Sequence, residues 1–140
     1  MKVFLLYSWI CFIFICTCTS SFKELAGTGE IRFLWDNQPD FSELLLPLPQ
    51  EINGIFLIQK SGHVLSFLIL TILLHANFKS QAACFSLALI YAAITELLQL
   101  FFSRDGRLFD IGIDALGIFL ALAIISLFNK DEVQLVSVPK

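Results

Sequence analysis

The chain has 140 residues, 57% of them hydrophobic, with a mean hydropathy of +0.81 and a formal net charge of −3. Soluble globular domains are about 45–50% apolar, so the excess points to lipid rather than to a water-soluble core. Nine Lys+Arg stand against twelve Asp+Glu, and no basic stripe is visible, so nucleic acid is not an expected partner.

A helix needs about 20 apolar residues to cross the hydrocarbon layer. Residues 3–18, VFLLYSWICFIFICTC, form the first candidate, a helix over about 3–20 with no charge between Lys2 and Lys23. A secretory signal is the alternative. The apolar stretch is long for one and rich in Phe, Ile and Trp, so a retained helix is expected. Its three cysteines, Cys11, Cys16 and Cys18, read as small hydrophobes, and with Cys84 they show no metal-ligand spacing or disulfide framework.

Residues 19–60 form a long, acidic connection in which Pro39, Pro47 and Pro49 break any long helix. Within it, the apolar patch 41–48 is expected on the bilayer surface or against the bundle, and Trp35 suits the interface. Three further helices are predicted over about 58–76, 81–102 and 108–128. Their apolar residues run all round, as in a membrane span. The links 77–80 and 103–107 are short and make these helices antiparallel neighbours. The expected architecture is therefore an all-α membrane protein: about four transmembrane helices in one integral membrane domain, with one long loop between the first two. A multi-pass membrane protein follows, with the bilayer as its first partner. The count of basic residues does not fix its orientation.

The polar residues of the spans gather at one level. Lys60 and His63 open the second helix, Glu96 and Gln99 lie near the end of the third, and Asp110 and Asp114 open the fourth. Arg104 and Arg107 lie in the connection between the third and fourth. The spacings i, i+3 and i, i+4 put each pair on one side of its helix. A charge facing lipid costs roughly 2.5–3.5 kcal/mol on insertion scales, so these side chains are expected to turn inward and pair, the arginines gripping carboxylates. The bland reading is interhelical glue. Gly117 and Ala121 form a small-xxx-small face for close helix packing. His75 and Asn77, at the opposite face, read as an ordinary helix end, and Trp9 and Tyr91 as packing residues.

The run Glu96-Leu-Leu-Gln99, Phe101-Phe102-Ser-Arg104, Arg107-Leu-Phe-Asp110, Asp114 and Gly117 resembles the VanZ-like family. Lys60-Ser-Gly-His63 with Phe67 matches that family's Lys-x-x-His start to a membrane helix. The resemblance spans residues 60–122. Asp114 departs from it, since many members carry Asn there; the acid either adds a negative charge or keeps a hydrogen-bonding role.

The resemblance implies a small envelope protein associated with resistance to teicoplanin, a lipid-bearing glycopeptide. It also implies a multi-pass protein of the bacterial cell membrane with its polar cluster at the outer face, the long loop extracytoplasmic and both termini inside. Three functions follow. The first is binding of a lipid, wall precursor or lipoglycopeptide at the outer leaflet, with Arg104 and Arg107 holding phosphate or carboxylate. The second is an enzyme using His63, Glu96, Asp110 and Asp114 as a base or as divalent-metal ligands, although no recognised catalytic or metal motif is present. No cofactor or metal is therefore expected, and an enzyme is the less favoured reading. The third is a scaffold with a membrane-protein partner or a second copy of itself. A proton-coupled transporter fits less well, because its acids belong near the midplane.

Overall fold

The computed structural model describes residues 1–47 and 53–136, with side chains described to residue 128. Leu48, Pro49 and Glu51, which belong to the apolar patch and the acidic loop, lie outside the described residues. The elements run α1 (Lys2–Cys18), α2 (Phe22–Thr28), a 3-10 turn (Phe41–Leu45), α3 (Gly54–Phe78), α4 (Gln81–Phe101) and α5 (Leu108–Val136). No strand occurs among the described residues.

Three helices are long and apolar enough to cross a membrane: Gly54–Phe78, Gln81–Phe101 and Leu108–Phe128. The fourth candidate differs from the single helix over 3–20 expected from the sequence. α1 stops at Cys18, and the chain turns by 115° into α2, so the two make a fourth span only if counted as one bent pair. The turn is held locally: the Ser21 side chain caps α2 by accepting from the Glu24 amide at 3.2 Å, and Gly29 ends it in the left-handed region at φ 75°.

The other helix ends follow the same chemistry. Asn53 accepts from the Phe56 amide and Ser80 from the Ala83 amide, so a short polar side chain starts both α3 and α4. Lys79, at φ 58°, closes α3. Inside the spans, buried hydroxyls turn back on their own helix: Thr17 to the Ile13 carbonyl, Thr71 to Phe67 and Thr95 to Ala92. A hydroxyl removed from water needs an acceptor, and the helix's own carbonyls supply it.

The core is apolar and close-packed around Phe67, Leu70, Ala88, Ala92 and Ile118, all essentially without exposure. Large apolar residues such as Leu65, Ile90, Phe119 and Leu127 point outward, as lipid contact requires. Lipid tails are as apolar as leucine, so helix association rests on tight packing and polar bonds rather than on burial from water.

α3 and α5 run parallel and pack most closely. A Cβ on Gly117 would collide with the Val64 backbone carbonyl, so the two backbones touch there, and Ala121 is fully buried one turn further on. α1 is tied to the bundle through polar tips of aromatic rings: Trp9 Nε1 donates to the Ser66 carbonyl at 3.0 Å, and Tyr91 Oη donates to the Ile10 carbonyl at 2.7 Å. Both are packing residues that also carry an interhelical hydrogen bond. All four cysteines are free thiols. At the far end, Asn77 donates to the Leu73 carbonyl and the His75 carbonyl accepts from Lys79, an ordinary helix terminus.

The described part of the long connection packs against the bundle. Residues 30–41 fold over the ends of α1 and α4 on an aromatic stack. Phe33 and Phe102 meet Phe14 with centroids 5.9 and 5.7 Å away, and Trp35 and Phe41 meet Phe101 at 5.6 and 6.1 Å. Backbone bonds fasten the layer, with the Ser20 amide donating to Arg32 and the Asp36 amide to Phe101, both at 2.8 Å.

Candidate functional site

Where α1 and α4 end and α3 and α5 begin, their polar residues meet. Because α3 and α5 run parallel, their i, i+3 and i, i+4 pairs stack as rungs. Lys60 Nζ donates to both Asp110 carboxylate oxygens at 2.5 and 2.6 Å. One turn deeper, His63 Nδ1 lies 3.0 Å from Asp114 Oδ1. Deeper still, Gly117 meets Val64. The rungs therefore pass from charged to polar to apolar with depth, and the glycine contact brings the helices close enough for the side chains above it to bridge.

α4 contributes the third wall. Glu96 is fully buried, and Gln99 nearly so. Gln99 Nε2 donates to Glu96 Oε1 at 2.8 Å, and the Arg107 backbone amide donates to Glu96 Oε2 at 2.8 Å. One donor atom from each of His63, Glu96 and Asp114 lies within 4.8 Å of the others.

The arginines differ from expectation. Neither guanidinium grips Glu96, Asp110 or Asp114. Arg104 Nη1 donates to the Thr19 carbonyl at 2.7 Å, and the Arg107 side chain reaches Asp105 at 3.1 Å. The reason is geometric: Gly106 folds the α4–α5 link so tightly against the Glu96 backbone that the acid is met by the link's amide rather than by a long side chain. Burial lowers the Arg104 guanidinium below its ordinary pKa, opposed by the nearby Asp105 carboxylate. An arginine remains charged at neutral pH regardless.

Gly106→Ala is accordingly expected to push the link off Glu96. Overpacking of this kind costs about 1–3 kcal/mol. Thermal unfolding in detergent checks it; an unchanged midpoint would contradict the close approach.

Above the rungs lies an open cleft of about 460 Å³. Its walls carry Lys23, Lys60, Arg104 and Arg107 against Asp105 and Asp110, four cations against two carboxylates. Lys60 and Arg107 are paired with those two acids. Among the described residues, Lys23 and Arg104 have no carboxylate partner within 4.0 Å. A smaller apolar cavity of about 170 Å³ adjoins His63 and shares Phe22 and Gln59 with the cleft.

Sequence reasoning missed the near wall. Ser20, Ser21 and Lys23 line the cleft because the chain turns sharply after Cys18. Thr19, fully buried, holds Arg104 through its carbonyl. Nothing in the spacing of these residues marks them. The nearest signal was the Ser21-x-x-Glu24 start, which fits a helix N-terminus.

No protein-family model matches the chain, and no solved structure matches it. The chain is 36% identical over 140 residues to a Bacillus subtilis (strain 168) protein named "Uncharacterized membrane protein YwnJ", covering 94% of this chain and 96% of that protein. With that identity over nearly the full length of both proteins, and with three to four apolar spans in the fold, the chain belongs to the YwnJ family of multi-pass membrane proteins.

Proposed function

We propose that the chain is a single VanZ-like membrane domain. Its cleft binds the anionic head group of an envelope lipid, a lipid-linked wall precursor or a lipoglycopeptide at the outer leaflet. The observation that carries this reading is the excess of cations in the cleft: Lys23 and Arg104 lie at its walls without a carboxylate partner among the described residues. A partly dry guanidinium is a strong anion ligand, and its planar fork matches phosphate or carboxylate. The volume, about 460 Å³, falls within the usual range of small-ligand sites.

The apolar surroundings suit a ligand with a lipid tail. α3 and α5 expose Leu65, Leu116 and Phe119 to the bilayer, while the polar cleft opens at the end of the same bundle. A head group in the cleft leaves its acyl chain on that surface. The buried rungs beneath are a rigid floor in this reading: Glu96 and Gln99 set the α4–α5 link that carries Arg104 and Arg107.

The test is susceptibility to teicoplanin, with vancomycin as control, in a Gram-positive host. The host expresses wild type, Glu96→Gln or Arg104→Ala at matched membrane levels. Selective protection by wild type, lost in both variants, is expected. No protection by well-folded wild type would confine the VanZ-like resemblance to architecture. Weight would then move to the scaffold or enzyme readings.

A further inference from the structure

We infer that His63, Glu96 and Asp114 form a binding site for one divalent transition-metal ion, such as zinc or manganese, beneath the cleft. The donor set is the first ground. One imidazole and two carboxylates, drawn from three different helices, offer donor atoms within 4.8 Å of one another. An ion held at metal–ligand distances of about 2.0–2.2 Å keeps its ligand atoms about 3–4.5 Å apart. Small side-chain rotations close that difference. One nitrogen and two oxygens suit zinc or manganese better than a soft, thiol-seeking ion.

The second ground is an orphaned atom. Asp114 is fully buried, and its Oδ2 has no hydrogen-bond partner among the described residues. Buried polar atoms are nearly always partnered, so an unpaired carboxylate oxygen beside a histidine and a second acid calls for a ligand.

Charge is the third. Lys60 is committed to Asp110. Glu96 receives two amide donors and no formal cation within the buried group. A divalent ion that displaced the protons of two carboxylic acids and bound a neutral imidazole would bring no net charge into the bundle.

The surroundings fit as well. Gln99 and the Arg107 amide fix the Glu96 carboxylate, the kind of outer contact that orients a ligating acid. Asp110, one turn above Asp114, lines the open cleft, and His63 lines the smaller cavity beside it. Three protein ligands leave one position of a four-coordinate ion for another ligand. The inference stands apart from the head-group reading, because binding of the ion is read directly.

The test uses the full chain purified in detergent, stripped with chelator and titrated separately with Zn²⁺ and Mn²⁺. Bound metal is counted by mass spectrometry and unfolding is followed by melting. Uptake saturating near one equivalent of either ion, with a rise in Tm that stops there, is expected. Gln99→Ala should weaken binding about 10–100-fold, and His63→Gln and Asp114→Asn by more. Because those variants remove buried contacts, Co²⁺ loading of wild type provides a second reading. Nitrogen and oxygen ligands give d–d bands without a thiolate charge-transfer band. Folded wild type that takes up neither Zn²⁺ nor Mn²⁺ near one equivalent would overturn the site. So would a thiolate band, or affinity unchanged in His63→Gln and Asp114→Asn.

Discussion

Gly117→Val is expected to cost the bundle about 3 kcal/mol or more, at or above the upper end of ordinary overpacking penalties. The obstacle is backbone on both sides. A Cβ at this position would run into the Val64 carbonyl, with the Leu68 amide nitrogen only 3.0 Å away. Flexible side chains can yield to a new methyl, but two helical backbones must separate. Separation would also pull apart the rungs above, since Lys60–Asp110 and His63–Asp114 bridge the same two helices. The expected result is a sharply lower Tm in detergent and a falling yield of monodisperse protein. Gly112→Ala on the same helix is the control. Nothing lies within 4 Å of a Cβ there, so alanine should be neutral or gain up to about 1 kcal/mol of helix propensity. Equal melting of Gly117→Val and wild type would refute the α3–α5 contact.

Lys60→Met is expected to destabilise by about 1.5–3 kcal/mol, the range for a charge-assisted hydrogen bond, because the pair is part-buried at the edge of the cleft. The Lys60 side chain is 14% exposed and that of Asp110 4%, with the ammonium on both carboxylate oxygens. Methionine keeps the length and leaves Asp110 charged and unpartnered. The double change Lys60→Met with Asp110→Leu should recover most of the loss, because it removes the stranded charge as well. Melting of the two single variants, the double variant and wild type forms a cycle that isolates the pair. Additive losses would mean that Lys60 and Asp110 act independently, and the rung would not be an energetic unit.

The same rung marks the line between pairing and recognition. Its charges are spent on each other, which is why the anion reading rests on Lys23 and Arg104 rather than on Lys60. Arg104 sits half-buried with one nitrogen on the Thr19 carbonyl and makes no other side-chain hydrogen bond among the described residues.

The residues by themselves determined the all-helical membrane class, three of the spans and the level at which the polar side chains meet. Composition and run length decide those, since backbone groups in lipid must be satisfied within a helix, and short links force adjacent helices antiparallel. The pairs 60/63, 96/99 and 110/114 were legible because helical spacing alone places each on one side of its helix. Which partner each would take was not, because pairing depends on the neighbouring helix's rotation and height. Only the tertiary structure decided that Lys60 meets Asp110, that His63 meets Asp114, and that Glu96 is capped by an amide instead of an arginine. It also decided that α1 breaks at Cys18 and lends Ser20, Ser21 and Lys23 to the cleft. The physical reason is common to these cases. The close contact at Gly117 and the tight fold at Gly106 set distances between segments far apart in sequence; the small-xxx-small face marked Gly117 for a close contact, but no local pattern names the helix or the height it would meet.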